Sequence, residues 1–149
     1  TFMFYLEAQI FHWNVEGKTF SQLHDLFGLI YSNAQNAVDE IAEHIRTLDE
    51  YAPQTLEELC ASAAIKIVPV GDAEAMIGKL AADNEIVMGA LCAAQYLAES
   101  ANVMGLANYL QDRLDRHAKW GWMLKATMDA DKNKTTMRRM VLYDHKKIA

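Results

Sequence analysis

The sequence predicts an all-α protein built as a four-helix bundle, on three observations. Apolar residues recur at helical spacing over long stretches, the two prolines (Pro53 and Pro69) fall together in mid-chain, and no segment shows the alternation of a half-buried strand. At 149 residues, 52% of them apolar, the chain is long enough for one compact domain with a sizeable core.

The opening TFMFYLEAQIFHWNV reads as the end of a first helix, cut short at its N-terminus. From residue 20, Phe20, Leu23, Phe27, Ile30, Ala34, Ala37, Ile41 and Leu48 recur in near-heptad steps, with Tyr31, Val38 and Ile45 widening the stripe. Ser21 is the expected cap of this helix and Pro53 bounds its far end, a span of about 28 to 30 residues. A helix that long must pack on others. TLEELCASAA, between the prolines, reads as a short connecting helix, and KIVPV is too short for a strand. Beyond Pro69 and Gly71, Met76, Ile77, Leu80, Val87, Met88, Leu91 and Leu97 share a face of a second long helix over roughly 72–100. Leu106, Leu110, Leu114, Ala118, Trp122 and Leu124 mark a third, running to about residue 128. The long connection across the prolines suits a crossover between parallel neighbours, as in ferritin-like bundles. The expected division is a bundle domain over 1–128 and a basic C-terminal tail over 129–149.

Charge separates the same two parts. Residues 1–128 carry 8 Lys+Arg against 17 Asp+Glu, a balance of −9, and residues 129–149 carry 6 against 3, a balance of +3. So acidic a body repels phosphate and membrane surfaces and concentrates cations; nucleic-acid contact falls to the tail. Cys60 and Cys92 lack C-x-x-C spacing and read as buried thiols of a reducing, cytoplasmic compartment. No run of 18 apolar residues exists, and the opening segment, interrupted by Glu7, lacks a signal peptide's basic start. Membrane insertion is not expected.

Several chemistries drop out. Gly17-Lys18-Thr19 resembles the end of a phosphate loop, but His12 stands where its first glycine is required. H-E-x-x-H, zinc-deaminase and G-x-S-x-G patterns are absent. A di-iron site inside one bundle uses Glu-x-x-His pairs, yet the residues three before the five histidines are Gln9, Ser21, Ile41, Leu114 and Leu142.

What remains is His12, with His24, Asp39 and Glu43 along the first long helix. At about 100° per residue, Asp39 lies roughly 60° and Glu43 roughly 100° round from His24, so the three share a broad face. His24 and Asp39 are fifteen residues apart, roughly 22 Å along the axis at about 1.5 Å per residue. One chain cannot bring both to one metal ion. A shared site requires a second copy of the helix running antiparallel across a two-fold axis, so that His24 of one subunit meets Asp39 and Glu43 of the other. His12 can join His24 from the same chain. The alternative is that the histidines are structural and the carboxylates form a solvated acidic face.

HWNVEGKTFSQLHDLF followed by VDEIAEHIRTLDEYAP strongly resembles the signature of the Dps family, the mini-ferritins called DNA-binding proteins from starved cells. YAPQTLEELCASAAI resembles their short connecting helix and RLDRHAKWGWMLKATM their last helix, so the similarity covers about residues 1–128. The resemblance implies a dodecameric hollow shell in which iron is oxidised between two-fold-related subunits, typically by hydrogen peroxide, with oxygen as the other oxidant, and stored as ferric mineral. It implies His12 and His24 of one subunit, with Asp39 and Glu43 of its neighbour, as the iron ligands, and Trp13 either as an electron donor beside the site or as interface packing. Zinc or manganese would suit the same donors. DNA-binding relatives use basic tails, which here gives Lys132, Lys134, Arg138, Arg139, Lys146 and Lys147 as candidate phosphate contacts.

Two departures qualify the resemblance. The family commonly carries an acidic ligand four residues after the second histidine, where this chain has Gly28; Asp25, about 100° round the helix from its neighbour His24, is a poor substitute. The expectation is one strong iron position and one weak one. The same loss leaves room for a rival reading, a non-enzymatic shell or DNA-compacting protein whose metal site has decayed. At the start of the last helix, Asn108 stands where many relatives place an aspartate in the pore that admits iron, with Asp112 and Asp115 following.

Overall fold

The computed structural model describes residues 1–61, 63–69 and 71–128. These fold into α1 (Phe2–Asn14), α2 (Phe20–Thr47), a short α3 (Leu56–Ala61), α4 (Ala73–Ser100) and α5 (Met104–Thr127), with no strand among the described residues. The four bundle helices form two hairpins, α1 with α2 and α4 with α5, joined by a long crossover that contains α3. The expected four-helix architecture is therefore the one observed. The tail over 129–149, with its six candidate phosphate contacts, lies outside the described residues.

The core follows the predicted stripes in part: Phe20, Leu48, Leu97, Ala118 and Trp122 are exposed, and on α5 the buried face runs through Leu110, Arg113, His117, Trp120 and Leu124 instead. Phe4, Phe11, Leu23, Phe27, Ile30, Leu80 and Leu124 are fully buried. Phe11 of α1 lies against Phe27 of α2 with ring centroids 5.9 Å apart, so aromatic packing sets the α1/α2 hairpin.

Helix ends are set by local chemistry. Ser21 is not the cap of α2. Gly17 turns the chain at φ 102, Thr19 holds the cap position without a side-chain hydrogen bond, and Ser21 lies inside the first turn. At its far end α2 stops before Pro53, because Asp49 takes a left-handed conformation (φ 64) and the Glu50 N–H donates back to the Ile45 carbonyl. Asp72 caps α4 by accepting the Ala75 N–H at 2.8 Å. Asn102 (φ 59) ends α4, with Val103 N–H donating to the Ala98 carbonyl, which turns the chain into α5.

The cysteines depart from expectation. Both are free, but Cys60 is half-buried, 3.7 Å from the Met3 sulfur, and Cys92 is exposed. Position 92 falls on the solvent side of α4, so its burial was not dictated by the apolar stripe. No described helix is long and apolar enough to cross a membrane.

Candidate metal centre

The bundle interior carries buried polar side chains that are partnered by the protein's own cations. Glu7 of α1 is completely buried, and Lys79 of α4 donates to it at 2.9 Å and also to Asp83. Burial first, and then the hydrogen bond to Asp83, pushes the Glu7 carboxyl up to about 8, so it is held mostly neutral at pH 7. On the far side of the core Arg113 donates to Asn33 Oδ1 at 2.6 Å. It also approaches His117 Nε2 at 3.5 Å, while His117 Nδ1–H donates to Asn84 Oδ1 at 2.8 Å. Burial, and then the Arg113 charge, pushes His117 down to about 3. An ammonium and a guanidinium thus occupy the polar core. Among the described residues no three His, Cys, Asp or Glu side chains of one chain come together to hold a metal ion.

The predicted histidines do come together. His12 ends α1, His24 lies in the second turn of α2, and their rings stack with centroids 3.7 Å apart and planes 23° apart. The stack is fixed by reciprocal bonds: Nδ1–H of His12 donates to the His24 carbonyl at 2.7 Å, and Nδ1–H of His24 donates to the His12 carbonyl at 2.8 Å. A carbonyl only accepts, so each Nδ1 must carry a proton, and in the neutral imidazole it is then Nε2 that offers the lone pair. This is the orientation a metal-binding imidazole requires, with the second nitrogen anchored on backbone.

Gly28 leaves His12 room beside the stack. A Cβ built there would meet Cε1 and Nδ1 of His12 at 3.3 Å each. His12 thus fills the slot that a side chain at position 28 would enter. The ring column continues on both sides, with Phe20 beside His24 (5.1 Å) and Tyr31 beside His12 (5.0 Å). Neither ring was singled out from sequence as more than core packing; their spacing along α2, one turn before His24 and one turn after Gly28, was the available signal.

Asp39 and Glu43 are exposed on the same uninterrupted α2 as His24, so the roughly 22 Å separation of His24 from Asp39 stands. The structure does not unite the four predicted ligands within one chain. Glu43 instead lines a cavity of about 300 Å³ with Glu40, His44, Thr47 and Tyr109. Burial, then the Glu40 carboxylate, pushes the Tyr109 phenol up to about 12. Trp13 is 63% exposed, and among the described residues no ring contact joins it to either histidine.

Fold and site together define the ferritin-like class: two helical hairpins joined by a crossover, with paired imidazoles at a helix junction and carboxylates displaced along α2. Residues 2–133 match the family described as Ferritin, ferritin-like domain. The chain is 30% identical over 129 residues to the DNA protection during starvation protein of Brevibacillus brevis, covering 84% of this chain and 85% of that protein. The crystal structure of a Dps protein from Bacillus brevis superposes with a TM-score of 0.81 at 28% identity, covering 86% of this chain and 87% of that one. Dps from Vibrio cholerae O1, described as a member of a broad superfamily of ferritin-like diiron-carboxylate proteins, gives 0.80 at 28%, covering 85% and 80%. The chain belongs to the Dps family of ferritin-like proteins.

Proposed function

We propose that the protein oxidises ferrous iron at sites shared by two-fold-related subunits, with hydrogen peroxide or oxygen as oxidant. The ferric product is stored inside a hollow homo-oligomeric shell, a dodecamer built from dimers, in the cytoplasm, where removal of iron and peroxide protects DNA. Iron is the substrate, and zinc or manganese can compete for the same donors. The observation that carries this reading is the reciprocal His12–His24 clasp, which leaves two Nε2 lone pairs free at a helix junction. The partner's Asp39 and Glu43 complete the site when a second α2 lies antiparallel. His44 or Arg113 cannot replace the clasp: His44 packs at a tilt against Tyr109 at 4.6 Å and Arg113 is buried in the core network.

Each chemical role follows from the donors. The imidazoles and carboxylates bind the ferrous ion, the carboxylates also stabilise the ferric product, and open coordination positions admit the oxidant. The acidic body draws cations toward the shell, and phosphate contact with DNA is left to the basic residues of 129–149. Ferrous iron plus peroxide should build a ferric-core absorbance in the wild type and none in His24→Ala. Equal core formation by both would instead favour the reading of a non-enzymatic shell.

The stack also bears on stoichiometry. With ring centroids 3.7 Å apart and planes only 23° apart, the two imidazoles lie nearly parallel, an arrangement that suits neighbouring metal positions rather than one ion. The position next to His24 lacks the carboxylate that Gly28 replaces. Anaerobic titration should therefore find one tight ferrous ion per site. Gly28→Asp should add a second, with His12 giving by a few tenths of an ångström at its 3.3 Å contacts. Two tight ions in the wild type would overturn this asymmetry.

A further inference from the structure

We propose that Tyr31 is the second electron donor of the site, oxidised at its phenol when a single bound ferrous ion meets hydrogen peroxide. This rests on the ferrous-oxidation reading above and adds a residue to it. Two observations lead there: the four-ring column and the missing carboxylate at position 28.

The column runs Phe20, His24, His12, Tyr31, with successive centroids 5.1, 3.7 and 5.0 Å apart. Both candidate metal-binding imidazoles lie inside it, and its ends differ chemically. Phe20 has no ionisable hydrogen and is a poor electron donor. Tyr31 carries a phenol that can release an electron and a proton together. It is half-buried against the core, held in ring contact with His12 at 5.0 Å. Trp13, the other oxidisable ring nearby, makes no ring contact with the column among the described residues of one chain.

Electron count gives the column a task. Peroxide needs two electrons to become two waters, and one ferrous ion supplies one. Where two ions are bound, the second ion completes the reduction; where Gly28 leaves one, the remaining electron must come from protein, or hydroxyl radical escapes. With Tyr31 as donor the step balances as Fe(II) + Tyr31–OH + H2O2 + H+ giving Fe(III) + Tyr31–O• + 2 H2O. The O–O bond breaks, iron and phenol each lose one electron, and the phenolic proton joins one from solvent in the waters. A later ferrous ion restores the phenol, Fe(II) + Tyr31–O• + H+ giving Fe(III) + Tyr31–OH.

The test loads the assembled protein anaerobically with one ferrous ion per site, adds one equivalent of peroxide, and records freeze-quench electron paramagnetic resonance with a hydroxyl-radical spin trap in parallel. Wild type should show a phenoxyl signal and little trapped hydroxyl. Tyr31→Phe keeps the packing ring and should lose the signal, with several-fold more hydroxyl adduct, while Trp13→Phe keeps the signal. Gly28→Asp, loaded with two ferrous ions per site once titration shows that it holds two, should give a weaker signal. A phenoxyl signal that survives Tyr31→Phe, or trapped hydroxyl unchanged by it, overturns the proposal. A wild type that oxidises no ferrous iron overturns the functional reading as well; one that oxidises iron without any phenoxyl signal overturns only the role of Tyr31.

Discussion

Coexpressing a His24→Ala subunit with a Glu43→Gln subunit should restore about one quarter of the wild-type ferrous-oxidation sites, although each variant alone has essentially none. The fraction follows from the two-fold arrangement. A mixed dimer has one site built from both damaged halves, and one built from the intact histidines of the Glu43→Gln chain and the intact carboxylates of the His24→Ala chain. Random pairing makes about half of the dimers mixed, and one of the two sites in each is whole. A site contained within one subunit would show no rescue, because every chain carries a lesion. The readout is initial-rate ferrous oxidation by peroxide at equal subunit concentration. Rescue absent from a preparation whose mixed composition is confirmed by mass spectrometry would refute the intersubunit assignment of Asp39 and Glu43.

That experiment turns on a feature legible in sequence alone. The apolar stripe from Phe20 through Ala37 required one long helix, and the rise of such a helix separates His24 from Asp39 whatever the rest of the fold does. The observed α2 is continuous over Phe20–Thr47, so the conclusion survives with its premise. What was not legible depends on register between helices. Nothing in a twelve-residue separation shows that His12 and His24 each donate to the other's carbonyl, because that requires the α1/α2 hairpin to place the end of one helix beside the second turn of the other. Gly28 was legible as a missing ligand but not as the floor of a slot for His12, since only packing reveals what fills the space of an absent side chain. Glu7 read as an interruption of an apolar run; its partners Lys79 and Asp83 lie more than seventy residues away on α4. Ser21 failed as a cap for a local reason: the turn at Gly17 starts the helix two residues earlier than capping preference alone suggests.

His117→Ala should destabilise the subunit by about 3–5 kcal/mol, measured by urea unfolding at fixed subunit concentration. His117 is fully buried, in ring contact with Phe4 at 5.3 Å and Trp120 at 4.7 Å, and is hydrogen-bonded to Asn84. Truncation opens a cavity lined by those rings and leaves Asn84 Oδ1 without its donor, two penalties that add because α4 and α5 are locked on each other at this point. The pH dependence separates this residue from its neighbours. Its folded value of about 3 lies below the ordinary 6.5, so the unfolded chain binds the extra proton between those limits. The stability it contributes is whole above pH 6.5 and falls as pH drops toward 3, by at most about 1.4 kcal/mol per pH unit for one proton. Glu7 acts in the opposite sense: its carboxyl is raised from 4.5 to about 8, so its contribution is whole below pH 4.5 and is lost as pH rises through 8. Between pH 6.5 and 5 these two opposite contributions largely offset in the wild type, whereas His117→Ala keeps only that of Glu7 and should gain stability as pH falls, with a slope the wild type lacks. Parallel slopes for the two proteins in that window would show that His117 is charged in the folded state, and the Arg113–His117–Asn84 arrangement would then have to be replaced by one in which Nε2 finds an acceptor.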